Sequence, residues 1–202
     1  HTTLSTALSL ALFAGSGAAL AQDATDDDGL SAGGKLLLTG GVTQVEGAAG
    51  GGLTPWAVIG GYGTRDEIGA NAFYTQVNVD DYQLQSYGAL VGFYDRVELS
   101  YSRQQFDTEA VGGALGLGNG FTFTQSTLGV KVKVAGDAVL EQDSWLPQIS
   151  VGAQYKRNDQ PAVLAFVGAK DDSGVDYYVS ATKLYLSQSL LLNGTVRFTR
   201  AN

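Results

Sequence analysis

Three carboxylates, Asp171, Asp172 and Asp176, crowd the stretch KDDSGVDYY, residues 170–178. Paired carboxylates can exchange protons with a substrate or hold calcium. Asp-Asp-Ser-Gly is also ordinary hairpin-turn chemistry, and the turn is the reading adopted here. The glycine-rich run Gly113–Gly120 suggests a phosphate cradle at first sight. It lacks the Lys-Ser/Thr ending, and Phe121 opens a strand instead of the helix whose N-terminus would bind phosphate. Asp26, Asp27 and Asp28 lack the alternate spacing and distal glutamate of a calcium loop. No metal or cofactor is expected.

The single histidine is His1 and there is no cysteine. His1 precedes a stretch that reads as an export signal, so the mature chain is expected to lack imidazole altogether. Ser-His-Asp triads, Cys-His pairs and imidazole-ligated zinc then fall away, and no catalytic residue is expected. A barrel enzyme such as a lipid hydrolase would lack the usual base for its serine. The chain is read as not an enzyme.

That signal is residues 1–21: an apolar run from Leu8 to Ala14, small residues, then Ala19-Leu20-Ala21 before Gln22. Its basic n-region is missing. Residues 22–33 are acidic and glycine-rich, a flexible lead-in. The 12 Lys plus Arg against 20 Asp plus Glu give a net charge of −8, which argues against a nucleic-acid partner.

From Gly34 to Asn202 the dominant period is two. Strands are expected near Lys35–Val45, Pro55–Tyr62, Ile68–Val77, Tyr82–Tyr94, Val97–Phe106, Phe121–Val134, Gln148–Lys156, Val175–Tyr185 and Leu190–Thr199. Most have an apolar face and, opposite it, a polar or glycine face. A turn of helix is expected at Ala138–Gln142. No run of about 18 apolar residues exists, so a helical span is excluded. Strands of about ten residues with one greasy side suit a barrel facing lipid. Short connections at Gly63–Glu67, Asp95-Arg96 and Leu186–Ser189 contrast with long ones at Asp107–Gly120 and Asn158–Gly174, as outer-membrane barrels arrange their periplasmic and outer loops. The long connection Ala135–Pro147 breaks the pattern.

The fold expected is therefore all-β, an antiparallel up-and-down transmembrane β-barrel of about eight to ten strands. Val97, Leu99, Tyr101, Leu128, Val130, Val132, Ile149 and Val151 are assigned to lipid. Glu98, Ser100, Ser102, Lys131, Lys133, Gln154 and Lys156 are assigned to the lumen. On that reading Ser100→Lys is tolerated, whereas Leu99→Lys is costly. Arg103, near the outer end of its strand, is placed to reach lipopolysaccharide phosphates or to snorkel.

The segments GKLLLTGGVTQVEGAAGGGLTPWAVIGGYGTRDEIGANAFYT, YDRVELSYSRQQFDTE, LGLGNGFTF, GVKVKVAGDAV, LPQISVGAQYK and DDSGVDYYVSATKLYL resemble domain of unknown function family 3034, an uncharacterised proteobacterial family. The resemblance implies an exported outer-membrane-type β-barrel without an established activity, in members that continue past NGTVRFTRAN. An odd count of nine strands and the missing n-region also lead us to expect an incomplete chain, since bacterial single-chain barrels have even strand numbers.

Function is expected to be that of a porin-like channel or transporter in the outer membrane of a Gram-negative bacterium. Two alternatives stay open: a plugged structural or surface-interaction barrel with ligand-binding outer loops, and a soluble periplasmic β-sandwich. The expected partners are outer-membrane lipid, lipopolysaccharide, and the export and barrel-assembly machinery. The sequence does not specify a small-molecule cargo.

Overall fold

The computed structural model describes residues 40–79, 82–108, 112–113, 116, 118, 120–139, 141–160 and 171–199. The signal, the acidic lead-in, the apolar run Ala162–Ala169 and half of the Gly113–Gly120 loop lie outside the described residues. So does the first half of the strand expected at Lys35–Val45.

Where the sequence alternates most strictly, it forms strands. β-Branched and aromatic side chains pack well on a pleated surface, and period two sorts them onto one face. Two short strands, β1 (Gly50–Gly51) and β2 (Thr54–Pro55), form a small ladder. Seven long ones follow: β3 (Ile68–Val79), β4 (Tyr82–Phe93), β5 (Val97–Asp107), β6 (Thr122–Ala135), β7 (Gln148–Asn158), β8 (Ser173–Tyr185) and β9 (Leu190–Phe198). They pair in chain order as one antiparallel meander, curled into a half-barrel. A three-residue 3-10 turn, Leu186–Gln188, joins β8 to β9.

Two details of the wall differ from expectation. The β4–β5 turn centres on Tyr94 and Asp95, both at positive φ (54° and 50°), with the Arg96 amide donating to the Phe93 carbonyl. This is the left-handed pair of a two-residue hairpin, whose twist matches that of the flanking strands. The helical turn expected at Ala138–Gln142 does not form among its described residues. Ala138 instead packs into the small apolar core with Ala49, Val58 and Leu90.

The larger correction concerns the first two expected strands. Residues 40–63 add nothing to the seven-stranded sheet. Their own pairing stops at the short ladder and a single bridge between Thr43 and Ala49. They lie instead across one face of the sheet as a covering segment. That face is the polar one. Ala49, Ala57, Val58 and Ile59 are buried there, and so are Glu98, Ser100, Lys131, Gln148, Ser150 and Ser180.

The opposite face is apolar and open. One register row across it reads Ile68, Phe93, Val97, Val132, Val151, Val179 and Val196. Among the described residues, eighteen polar or charged side chains are buried against eight apolar ones. A protein that folds its core away from water shows the reverse ratio.

Candidate functional site

Charge and hydrogen-bonding groups converge on the covered face. Its centre is an ion pair. Glu98 on β5 and Lys131 on β6 are cross-strand partners, both essentially without solvent contact, with Nζ 2.9 Å from Oε2. Taking two charges out of water costs several kcal/mol each unless their remaining capacity is met. Here the covering segment meets it. The Ala49 amide donates to Glu98 Oε1 at 3.0 Å and the Gly60 amide to Oε2 at 2.7 Å. Lys131 donates to the Val58 and Ala49 carbonyls at 2.8 and 3.2 Å. Backbone without sheet partners is thus paired to side chains, as buried amides and carbonyls must be.

Close approach at this point needs glycine. A Cβ on Gly60 would stand 2.7 Å from Leu90 and 3.0 Å from Ala49.

On one side of the ion pair, Gln148 and Ser150 both donate to the Ala57 carbonyl, at 2.7 and 2.5 Å. The Ala57 amide donates to Thr182 Oγ1 at 2.7 Å. Ser180 and Thr195 share the Pro55 carbonyl, at 3.1 and 2.7 Å. On the other side, Ser86 and Gln104 reach the Val45 carbonyl. Glu46 bridges Lys156 and Arg197, and both cations also approach Asp176. Asn71 on β3 donates to the Gly41 carbonyl at 2.8 Å, so hydroxyls, amides and charges of all seven strands, β3 to β9, grip one segment.

At the end bearing the short turns lies a second charged group. Lys133 pairs with Asp95 at 2.5 Å and approaches Asp137 at 3.5 Å, while Arg65 stands 3.7 Å from Asp137. Arg65, Asp95 and Lys133 border a cavity of about 570 Å³ that Tyr94, Arg96 and Leu146 also line. Its charges are of both signs.

The residues assigned to lumen and lipid divide between the two faces as follows. Glu98, Ser100, Ser102, Lys131 and Gln154 are buried on the covered face, and Lys133 and Lys156 are half-buried there. Leu99, Tyr101, Leu128, Val130, Val132 and Val151 are exposed on the other face; Val97 and Ile149 are half-buried. Ser100→Lys, expected to be tolerated, would set its side chain beneath the covering segment. Ser100 is 5% exposed, and its hydroxyl is crowded against Gly129. Arg103 pairs with Asp159 at 2.7 Å. Of the three clustered carboxylates, Asp176 joins the covered network through Lys156 and Arg197.

Sequence reasoning missed Glu46, Ser180, Thr182 and Thr195 as members of this site. Their partners lie up to 151 residues away, and period two shows only which face a residue occupies. Among the described residues, no three His, Cys, Asp or Glu side chains are grouped to hold a metal ion.

An all-β protein with one curled antiparallel sheet, its polar face sealed by the chain's own preceding segment, is the class that this geometry defines. The chain belongs to the family described as Protein of unknown function (DUF3034), which matches residues 39–202. No curated protein and no solved structure matches it.

Proposed function

We propose that this sheet is wall of a closed β-barrel in the outer membrane of a Gram-negative bacterium, reached by way of a cleaved signal. We further propose that residues 40–63 fill its interior as a plug. The role is structural or surface-binding, with no reaction assigned, and the porin-like alternative would require the plug to move. One observation carries the reading: along the middle of the strands the side chains open to the surroundings are aliphatic and aromatic, while Glu98, Lys131 and Asp176 on the other face are buried. Leu128, Val196 and Phe198 are each exposed by about 60%. An apolar face this wide far exceeds what monomeric proteins leave to water. It suits hydrocarbon, in which strands span with alternating faces.

The plug supports the structural reading over the channel. A narrow barrel filled by side chains and backbone leaves no aqueous path. The partners proposed are therefore lipid and lipopolysaccharide around the wall, with the export and assembly machinery before it.

Flotation with liposomes after carbonate wash tests the membrane reading, and planar-bilayer recording tests the plug. The protein is expected to float and to conduct poorly. A chain that stays in the aqueous fraction overturns the first reading. Large, steady pores from the intact protein overturn the second.

A further inference from the structure

Near the ends of β3–β6 remote from the short turns, the two faces of the sheet exchange character. The open face, apolar up to Tyr74 and Tyr87, turns polar with Gln76, Asn78, Gln83, Gln85 and Gln105. Several of these join side chain to side chain: Tyr74 to Gln76 at 3.1 Å, Gln76 to Asn78 at 3.2 Å and Gln83 to Asn78 at 2.9 Å. On the inner face at the same level stand Val77, Val79, Tyr82, Leu84, Phe106 and Phe123. Register partners share a face, and the register pairs Val79 with Tyr82, Val77 with Leu84, Leu84 with Phe106 and Phe106 with Phe123. The Tyr82 and Phe106 rings stack at 5.5 Å, and Phe123 meets Phe121 edge-on at 5.1 Å. Val77, Val79, Tyr82 and Phe106 are nonetheless exposed by 36–52%.

Beneath this patch the next inner row is polar and uncharged: Thr75, Ser86, Gln104 and Gln125. One row deeper, the buried hydroxyls of Ser102 and Thr127 have no hydrogen-bond partner, and neither does the side-chain amide of Gln44. Buried polar groups normally find partners, so these atoms mark unmet capacity below an apolar surface.

We propose that this inner apolar patch is a binding site for a neutral, largely apolar small molecule carrying one hydrogen-bonding group. Its rings and methyls would cover the body of the ligand, and the half-buried Thr75 and Gln125 of the row beneath, which flank the Ser86 and Gln104 already bonded to the Val45 carbonyl, would take its polar end, the usual division in a ligand site. The charge pattern selects against anions. No cation stands in either apolar row or in the polar row below. Two rows of side chains across four strands span about 7 Å by about 14 Å, given ~3.4 Å per residue and ~4.8 Å between strands. That is the footprint of a two-ring molecule or a short alkyl chain.

The inference rests on the barrel reading only for the side from which the ligand enters. The test is equilibrium uptake of 1-naphthol and 1-decanol by the full chain in nanodiscs, with uptake by empty nanodiscs subtracted, against 1-naphthoate as the anionic control. Saturable uptake of at least one neutral probe is expected, at least tenfold tighter than that of the anion. Phe106→Gln with Phe123→Gln should weaken it at least tenfold while the circular dichroism spectrum holds. If that pair fails to fold, Val79→Asn with Tyr82→Asn, at an exposed hairpin end, should give the same loss. Uptake equal to empty nanodiscs, uptake unchanged in a folded variant, or a dimer that Val79→Asn with Tyr82→Asn dissolves would each overturn the proposal. If the protein stays out of lipid, the same titration in buffer decides this site separately. Binding there would sink the membrane reading and leave this one standing.

Discussion

Glu98 and Lys131 hold the covering segment through four backbone groups, so their removal has a direction and a size. Lys131→Met leaves a buried carboxylate without its cation, a change that costs about 3–5 kcal/mol for a buried pair. Glu98→Gln keeps the shape but offers one acceptor oxygen to the two amides that Glu98 serves. It should cost about 1–3 kcal/mol, the penalty for one buried donor left unmet. Urea midpoints would read both losses, with Lys131→Met the larger. Faster chymotryptic cleavage at Trp56 should accompany them, because the groups released belong to the plug. Unchanged cleavage in a destabilised variant would show that the pair serves the wall alone. Alternation revealed that these two residues share a face. It could not reveal that the face is covered, since the Ala49 and Gly60 amides carry no signature in the residue types around them.

At the scale of the strand, Leu99 and Ser100 are adjacent and face opposite ways, and their substitutions should fail differently. Leu99→Lys places a charge on the open apolar face, at about 2–4 kcal/mol near a bilayer midplane. Flotation should fall while the plug stays resistant to protease. Ser100→Lys has no room beneath the covering segment and beside Gly129, so it should expose the plug while flotation holds. Matching phenotypes would contradict the two faces. All seven sheet strands were legible to within two residues at each end, because period two is a local property and hairpin turns punctuate it. The covering segment was misread for the same reason. LLLTGGVTQV and PWAVIGGYG have strand-like composition, but among the described residues the Val45, Pro55 and Ala57 carbonyls and the Ala57 amide are taken by side chains of the sheet. No local rule distinguishes a ladder partner from a serine 93 residues away.

For the whole molecule, the open question is what becomes of the two edges. Among the described residues β3 and β9 each pair along one side, leaving rows of amides and carbonyls facing away from the sheet. In water such edges hydrate at little cost. In hydrocarbon each unsatisfied group costs several kcal/mol, which restricts spanning strands to closed barrels. The membrane reading therefore makes a demand that the soluble one does not: β3 and β9 must find partners once inserted. Closure also makes unfolding slow, so the inserted protein should run faster on gels unheated than boiled, with a strand-dominated circular dichroism spectrum. Hydrogen exchange gives the sharper readout. In nanodiscs, every amide of β9 from Leu191 to Val196 should exchange slowly, including those that do not pair with β8. If alternate β9 amides exchange fast while their neighbours are protected, the edge is open to water. The sheet would then be a half-barrel in solution, and its apolar face would need a protein partner in place of lipid.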